Sequence, residues 1–418
     1  MLLSDWAHEL LVSLLHVERR TEPYWRSYAN TLLREPSAAL LQALINLQRR
    51  RHDGPLAAEQ ILPGEEQALD SIVSEMRSYV ARTYVPGEVQ RVAGTKLHGL
   101  VRAEVTIRDD IPAELRRGVF REPRMFPAWI RFAGPGPGSP PDIEDIGFLT
   151  MSVKLMGVPG PKLLDDEKHT QDFLSVCTPT FVTPDVIANA RLHRQLLRRT
   201  PLWYFFDPRQ LHVLDLLMQG LWTETQTSPL ECSYFSCVPY LLGADRAMQF
   251  SFQPRTQQRS RIEGLPDRPS DNYLRDNLIA TLSKQDVLFD MRVQLQTDAH
   301  AMPIENAAVR WPEALSPHVP VATIRIPKQK LDSPALQRFA ATLSFNPWHC
   351  IPEHRPLGNM NRARKRIYDE MMRLRAAKNR TPHPEPTGRE TFDEAPPAQP
   401  QPPFQQVWAS SGPSTAGN

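Results

Sequence analysis

Cysteine is scarce in this chain of 418 residues, which has only Cys177, Cys232, Cys237 and Cys350. Cys232 and Cys237 have no Cys/His cluster near them, so the spacing of a zinc site is missing. Glycine is low as well, 19 residues against 41 prolines, a balance that favours ordered loops over floppy linkers. An excess of charge of one sign is also absent. The formal net charge of +2 gives no electrostatic basis for binding nucleic acid or a membrane surface. No apolar run approaches the ~18 residues of a membrane span, so no integral membrane segment is expected. The opening MLLSDWAHELLVSLLHVERR is broken by Asp5, His8 and Glu9 and lacks a basic n-region, so it does not read as a signal peptide. These absences predict a cytoplasmic protein with reduced thiols. No internal repeat is visible.

What is present is the material of a globular protein, 41% hydrophobic and 23% charged, enough to bury a real core. Residues 1–85 read as a helical region, with apolar residues at three- and four-residue spacing in LVSLLHVERR, SAALLQALINLQRRR and EEQALDSIVSEMRSYVAR. From 86 the pattern becomes short β-rich runs: LVRAEVTI, AWIRFAG, FLTMSVKLMGV, AMQFSFQP, LFDMRVQLQTD and VPVATIRIPKQ. Helix-like TPDVIANARLHRQLLRRT and DPRQLHVLDLLMQGLW lie among them. The mixture predicts an α+β fold, a largely antiparallel sheet or barrel wrapped by helices and long loops, over residues 86–380. Residues 381–418 are rich in Pro, Gln and Ser and poor in aliphatics, and read as a disordered tail.

NRARKRIYDEM, residues 361–371, places Tyr368 four residues after Arg364 on one face of a basic helix. A guanidinium beside a phenol can stabilise a tyrosinate. An ordinary amphipathic helix with a half-buried tyrosine fits the same residues, and this stretch alone favours that plainer reading.

Several ordered stretches resemble the catalase superfamily, in particular its smaller catalase-like members. RVAG…VRAEVTIRDDIPAEL is similar to the first barrel strand, PAWIRFAG to the next. GFLTMSVKLMGVPGPKLLDDE…TQDFLSVCTPTFV resembles the segment leading to the distal side of the haem pocket. YFSCVPYLLGADRAMQFSFQP, VRWPEALSPHVPVATIRIPKQ and LSFNPWHCIPEHRPLG follow in the family's order. The resemblance implies a catalase-like antiparallel β-barrel and haem b as cofactor, with Tyr368 as the axial ligand of iron and Arg364 holding it deprotonated. It implies Arg91 and Arg131 as partners of the haem propionates, where the alternative is a surface salt bridge or a strand-end charge. It places Phe181 near the porphyrin, where simple core packing is the alternative.

The polar distal groups of the family are missing. The distal histidine aligns with Gly94, its supporting serine with Ala133, and the peroxide-orienting asparagine with Val176 or Cys177. His98 stands about 13 Å further along the strand and reads as structural. Loss of a general acid/base costs about 10²–10⁴-fold, so efficient hydrogen-peroxide dismutation is not expected, and no catalytic residue is assigned. A small apolar distal wall instead implies an organic or lipid hydroperoxide, or another bulky apolar substrate, for a haem-dependent oxidoreductase. The alternatives are a catalase-fold haem carrier or sensor, and a haem-free scaffold. Family members often assemble, so a homo-oligomer is within the expectation. His212, His349 and His354 lack metal-ligand spacing to one another. EHRP, residues 353–356, reads as a salt-bridged turn anchoring the Tyr368 helix, and Trp408 as incidental to the tail.

Overall fold

The structure, a computed structural model, describes residues 3–49, 54–145, 147–256 and 259–392. The N-terminal region is helical: α1 (Leu3–Ala29), α2 (Glu35–Leu47) and α3 (Glu65–Thr83). In α3 the apolar stripe Leu69, Ile72, Val73, Met76 and Val80 is buried, as its spacing requires. In α1 the apolar side is turned outward. Glu22 accepts from the backbone and hydroxyl of Thr225, and Arg26 donates to the Gly220 carbonyl. The body therefore takes the polar side, leaving Trp6, Leu10, Leu14, Val17, Tyr24 and Tyr28 exposed.

The strands follow: β1 (Leu97–Ile107), β2 (Met125–Ala133), β3 (Thr150–Met156) and β4 (Thr170–Val176). Helices α4 (Val186–Leu197), α5 (Leu202–Phe205) and α6 (Val213–Trp222) lead to β5 (Tyr234–Phe235), β6 (Tyr240–Leu241) and β7 (Ala247–Pro254). Then come α7 (Tyr273–Leu282), β8 (Val287–Leu295), β9 (Val319–Ile326), α8 (Pro334–Thr342) and α9 (Asn359–Asn379). All strand pairings are antiparallel. They run β1–β2–β3–β4–β5–β7–β8–β9 and return to β1, a closed eight-stranded barrel with β6 attached to β7. The seam at β5 is narrow: Val176 pairs with Phe235, and Tyr234 and Phe235 pair with β7. Closure removes the exposed edges that an open sheet would carry.

Aromatic rings fill the barrel core. Phe173 of β4 meets Phe250 of β7 edge-on at 5.1 Å, and Phe250 contacts Tyr240 and Phe252. Residues 381–392, assigned by composition to the tail, lie against the barrel. Glu390 accepts the Trp129 indole N–H at 3.0 Å, and the Phe392 ring packs on Trp129 and Phe339. Residues 393–418, with Trp408, lie outside the described residues. Among the described residues no helix is long and apolar enough to cross a membrane.

One charge sits inside the sheet. Lys154 of β3 is fully buried, and its ammonium pairs with Glu167 and with Asp172 of β4, the latter at 2.8 Å. Burial lowers the ammonium's pKa, but the two carboxylates outweigh it and raise the value above the ordinary one. Removing one partner of such a network strands the others, a cost of about 3–5 kcal/mol. Lys154→Met is expected to lose about that much in urea unfolding; a loss under ~1 kcal/mol would mean the carboxylates find other partners.

Candidate functional site

The site is built on α9, and the start of that helix is pinned from several directions. Asn359 donates to Glu305 and accepts the backbone N–H of Val186. Arg362 pairs with Glu59, Glu65 and Glu305, a concentration of charge-assisted bonds that fixes the helix axis. The EHRP turn contributes as expected, through partners outside itself: Arg355 pairs with Glu59 at 2.6 Å and Glu353 with Arg121 at 3.4 Å. His354 is buried and accepts the Val119 N–H at 3.0 Å. Gly118, at φ +55°, lies so close that a β-carbon there would stand 2.2 Å from the His354 Nε2; only glycine fits.

On α9, Arg364, Tyr368 and Arg375 fall at i, i+4 and i+11, within about 40° of one another on the helix surface. Arg364 donates to Asn361 Oδ1 at 3.3 Å, and its guanidinium lies 5.5 Å from the centroid of Phe181. Asn361 is fully buried and donates in turn to the Pro239 and Leu357 carbonyls. Tyr368 is half-buried and packs, like Phe181, against the main core. Its hydroxyl makes no hydrogen bond among the described residues. Tyr240 on β6 is also close to the charge of Arg364; burial pushes its phenol above the ordinary range while Arg364 pulls the other way. The Tyr240 hydroxyl is buried without a hydrogen-bond partner.

Three arginines converge beside this helix. Arg91 donates to the carbonyls of Ala340 and Leu343. Arg375 donates to the same Leu343 carbonyl at 3.2 Å. Arg131, from β2, donates to the Gly94 carbonyl, and its Nε is buried without a partner. Among the described residues no carboxylate pairs with any of the three, in contrast to Arg362. Burial, and then the charges of Arg375 and Arg131, hold Arg91 well below its ordinary pKa. Burial with the charge of Arg375 lowers Arg131 to about 9, and burial alone lowers Arg375 to about 10. Arg131 is buried while Arg91 and Arg375 are half-buried, and cations gathered in this way repel one another unless an anion or water screens them. Planar guanidinium forks suit a ligand carrying two carboxylates. Sequence reasoning missed Arg375; its signal was a spacing of seven from Tyr368, two helical turns along the same face.

The positions that the resemblance aligns with the family's polar distal groups carry Gly94, Ala133, Val176 and Cys177. Gly94 is a left-handed turn residue at φ +65°, and a β-carbon there would meet Arg131 Nη1 at 3.2 Å and Ala133 Cβ at 3.9 Å. Ala133 is buried, and Val176 is held in the β4 ladder opposite Thr150. The Cys177 thiol accepts the Leu149 N–H at 3.0 Å, and burial raises it to about 12. His98 is buried, with both ring nitrogens lacking hydrogen bonds and Asp142 at 3.8 Å. Burial and the cations Lys96, Arg131 and Arg275 lower its pKa to about 3, so it is a poor base at neutral pH.

No family model and no curated protein matches the sequence. Solved structures do. A fungal catalase aligns at 16% identity and TM-score 0.56, covering 78% of this chain and 65% of that one. Catalase A from Saccharomyces cerevisiae aligns at 16% identity and 0.55, covering 78% and 68%. A bacterial catalase aligns at 17% identity and 0.52, covering 80% and 66%. This chain thus spans less than two thirds of the fungal catalase it matches. At such identities the likeness is one of architecture: the chain has the catalase-like fold.

Proposed function

We propose that this chain binds haem b with Tyr368 as the axial ligand and acts on an organic or lipid hydroperoxide or another bulky apolar substrate. The observation that carries the reading is the set of three converging arginines without a carboxylate, on the same side of α9 as a tyrosine hydroxyl free of hydrogen bonds. Arg91, Arg131 and Arg375 would hold the propionates, and Arg364, positioned by Asn361, would keep Tyr368 in its anionic form. Phe181 would bound the pocket beside Arg364. Haem iron, when bound, supplies the redox chemistry that cleaves an O–O bond. The residues around it would bind the group rather than move protons, because Gly94 and Ala133 carry no ionisable group and burial keeps the Cys177 thiol protonated. This favours a substrate that needs little proton shuttling over hydrogen peroxide. The same lack of a base supports a second reading, a haem carrier or sensor without turnover.

Protein purified from haem-supplemented cells is expected to carry a Soret band with tyrosinate-type charge-transfer features, perturbed on mixing with cumene hydroperoxide. A Soret band indifferent to peroxides would select the carrier or sensor. Absence of any Soret band would reject haem binding altogether.

Tyr368→Phe is expected to abolish haem retention or weaken it severely. A variant with an unchanged Soret band would disprove the ligand assignment.

Arg131→Met should act in opposite directions on the two forms. Haem affinity should fall about 10–100-fold through loss of charge-assisted bonds. The haem-free protein should gain about 1–3 kcal/mol, because a desolvated, unpaired cation is removed. Haem titration and urea unfolding read the two effects separately, and a destabilised haem-free variant would count against an anion-demanding site.

A further inference from the structure

A second cluster of ionisable groups lies where β3, β4, the loop before α9 and segment 381–392 meet. His349 Nε2 is 2.9 Å from Asp166 Oδ2, and His383 Nε2 is 3.8 Å from the same oxygen. The two imidazole rings are nearly parallel, 6.3 Å apart at 11°. Asp166, His349 and His383 each offer a ligand atom within 4.8 Å of the other two. Ligands bound to a tetrahedral ion at 2.0–2.1 Å stand about 3.3 Å apart, a value that the two observed separations straddle.

Two further observations point to a missing cation. Glu167 is 1% exposed, yet its Oε1 has no hydrogen-bond partner among the described residues. Its polar neighbour there is His383 Nε2 at 3.1 Å, and His383 Nδ1 is buried with no hydrogen-bond partner among the described residues. The second observation is the support behind His349. Its Nδ1 is 2.9 Å from Asp172 Oδ2, an oxygen that also accepts the Asn346 N–H. A carboxylate holding the remote nitrogen of a histidine fixes the tautomer that presents the other nitrogen to a metal. Charge agrees as well: Asp166, Glu167 and Asp172 set three carboxylates against the single ammonium of Lys154 around the two imidazoles.

We propose that Asp166, His349 and His383 form a binding site for a divalent transition cation, with zinc as the best match to two imidazoles and a carboxylate. Glu167 Oε1 lies 3.1 Å from His383 Nε2, beside the proposed ligand set. Asp166 is the exposed member and gives the ion an entry route. The ion would join segment 381–392 to the loop that leads into α9.

The test uses the full chain, stripped with a chelator, incubated with zinc and desalted. Zinc is then counted by elemental analysis, separately from iron, and the thermal midpoint is read with and without the metal. Wild type is expected to retain about one zinc per chain and to unfold several degrees higher with it. His383→Ala, on a peripheral segment, and Asp166→Asn should each retain less than about a tenth as much and lose the thermal response, with unchanged circular dichroism. Wild type that keeps no zinc would overturn the site and leave a closed salt-bridge network. Equal retention by wild type and both variants would overturn it too, because the metal would then be bound elsewhere.

Discussion

Three arginine side chains drawn together without a carboxylate are the constraint on which the rest of this molecule turns. Withdrawing a cation from water is costly unless an anion replaces the lost hydration, and among the described residues these three are met only by carbonyl oxygens. Elsewhere the same sequence answers its buried charges. Lys154 has Glu167 and Asp172, and Arg362 has Glu59, Glu65 and Glu305. The arginines lie on the same side of α9 as the Tyr368 hydroxyl, which makes no hydrogen bond to protein among the described residues.

The geometry of that place depends on α9 being held at a fixed height and rotation. Arg362 and Asn359 fix its first turn, while Asn361 ties it to Pro239 beside β6. Arg364, Tyr368 and Arg375 follow that anchor on the same helix, so a rotation of the first turn would move all three together. Asn361 also orients Arg364 directly. Its hydrogen bonds thus join the anchoring of the helix to the electrostatics of the tyrosine.

Much of the architecture was legible because it is local. β-branched and aromatic runs marked β1, β2, β3, β7, β8 and β9, and three-to-four spacing marked α3, α4 and α6. β5 and β6 were not, since strands of two residues have no period to read, and yet β5 completes the barrel. Arg364, Tyr368, Arg91 and Arg131 were singled out through family-like stretches, and the structure brings Arg91 and Arg131 together with Arg375. Arg375 needed only the helix-face rule applied two turns further. His349 and His383 were not readable as neighbours, because 34 positions and a segment resembling a tail separate them in the numbering. Long-range proximity leaves no mark on composition.

Barrel closure also imposes an order of events on folding. β1 joins β9 through the ladder that sets Glu104 opposite Arg325, positions 221 apart in the chain. A contact of that span forms late, after a large loop-closure entropy has been met. Arg91 lies just before β1 and Arg131 on β2, whereas Arg375 lies on the last helix. Arg375 can therefore join Arg91 and Arg131 only after α9, some 244 positions beyond Arg131, has docked on the barrel.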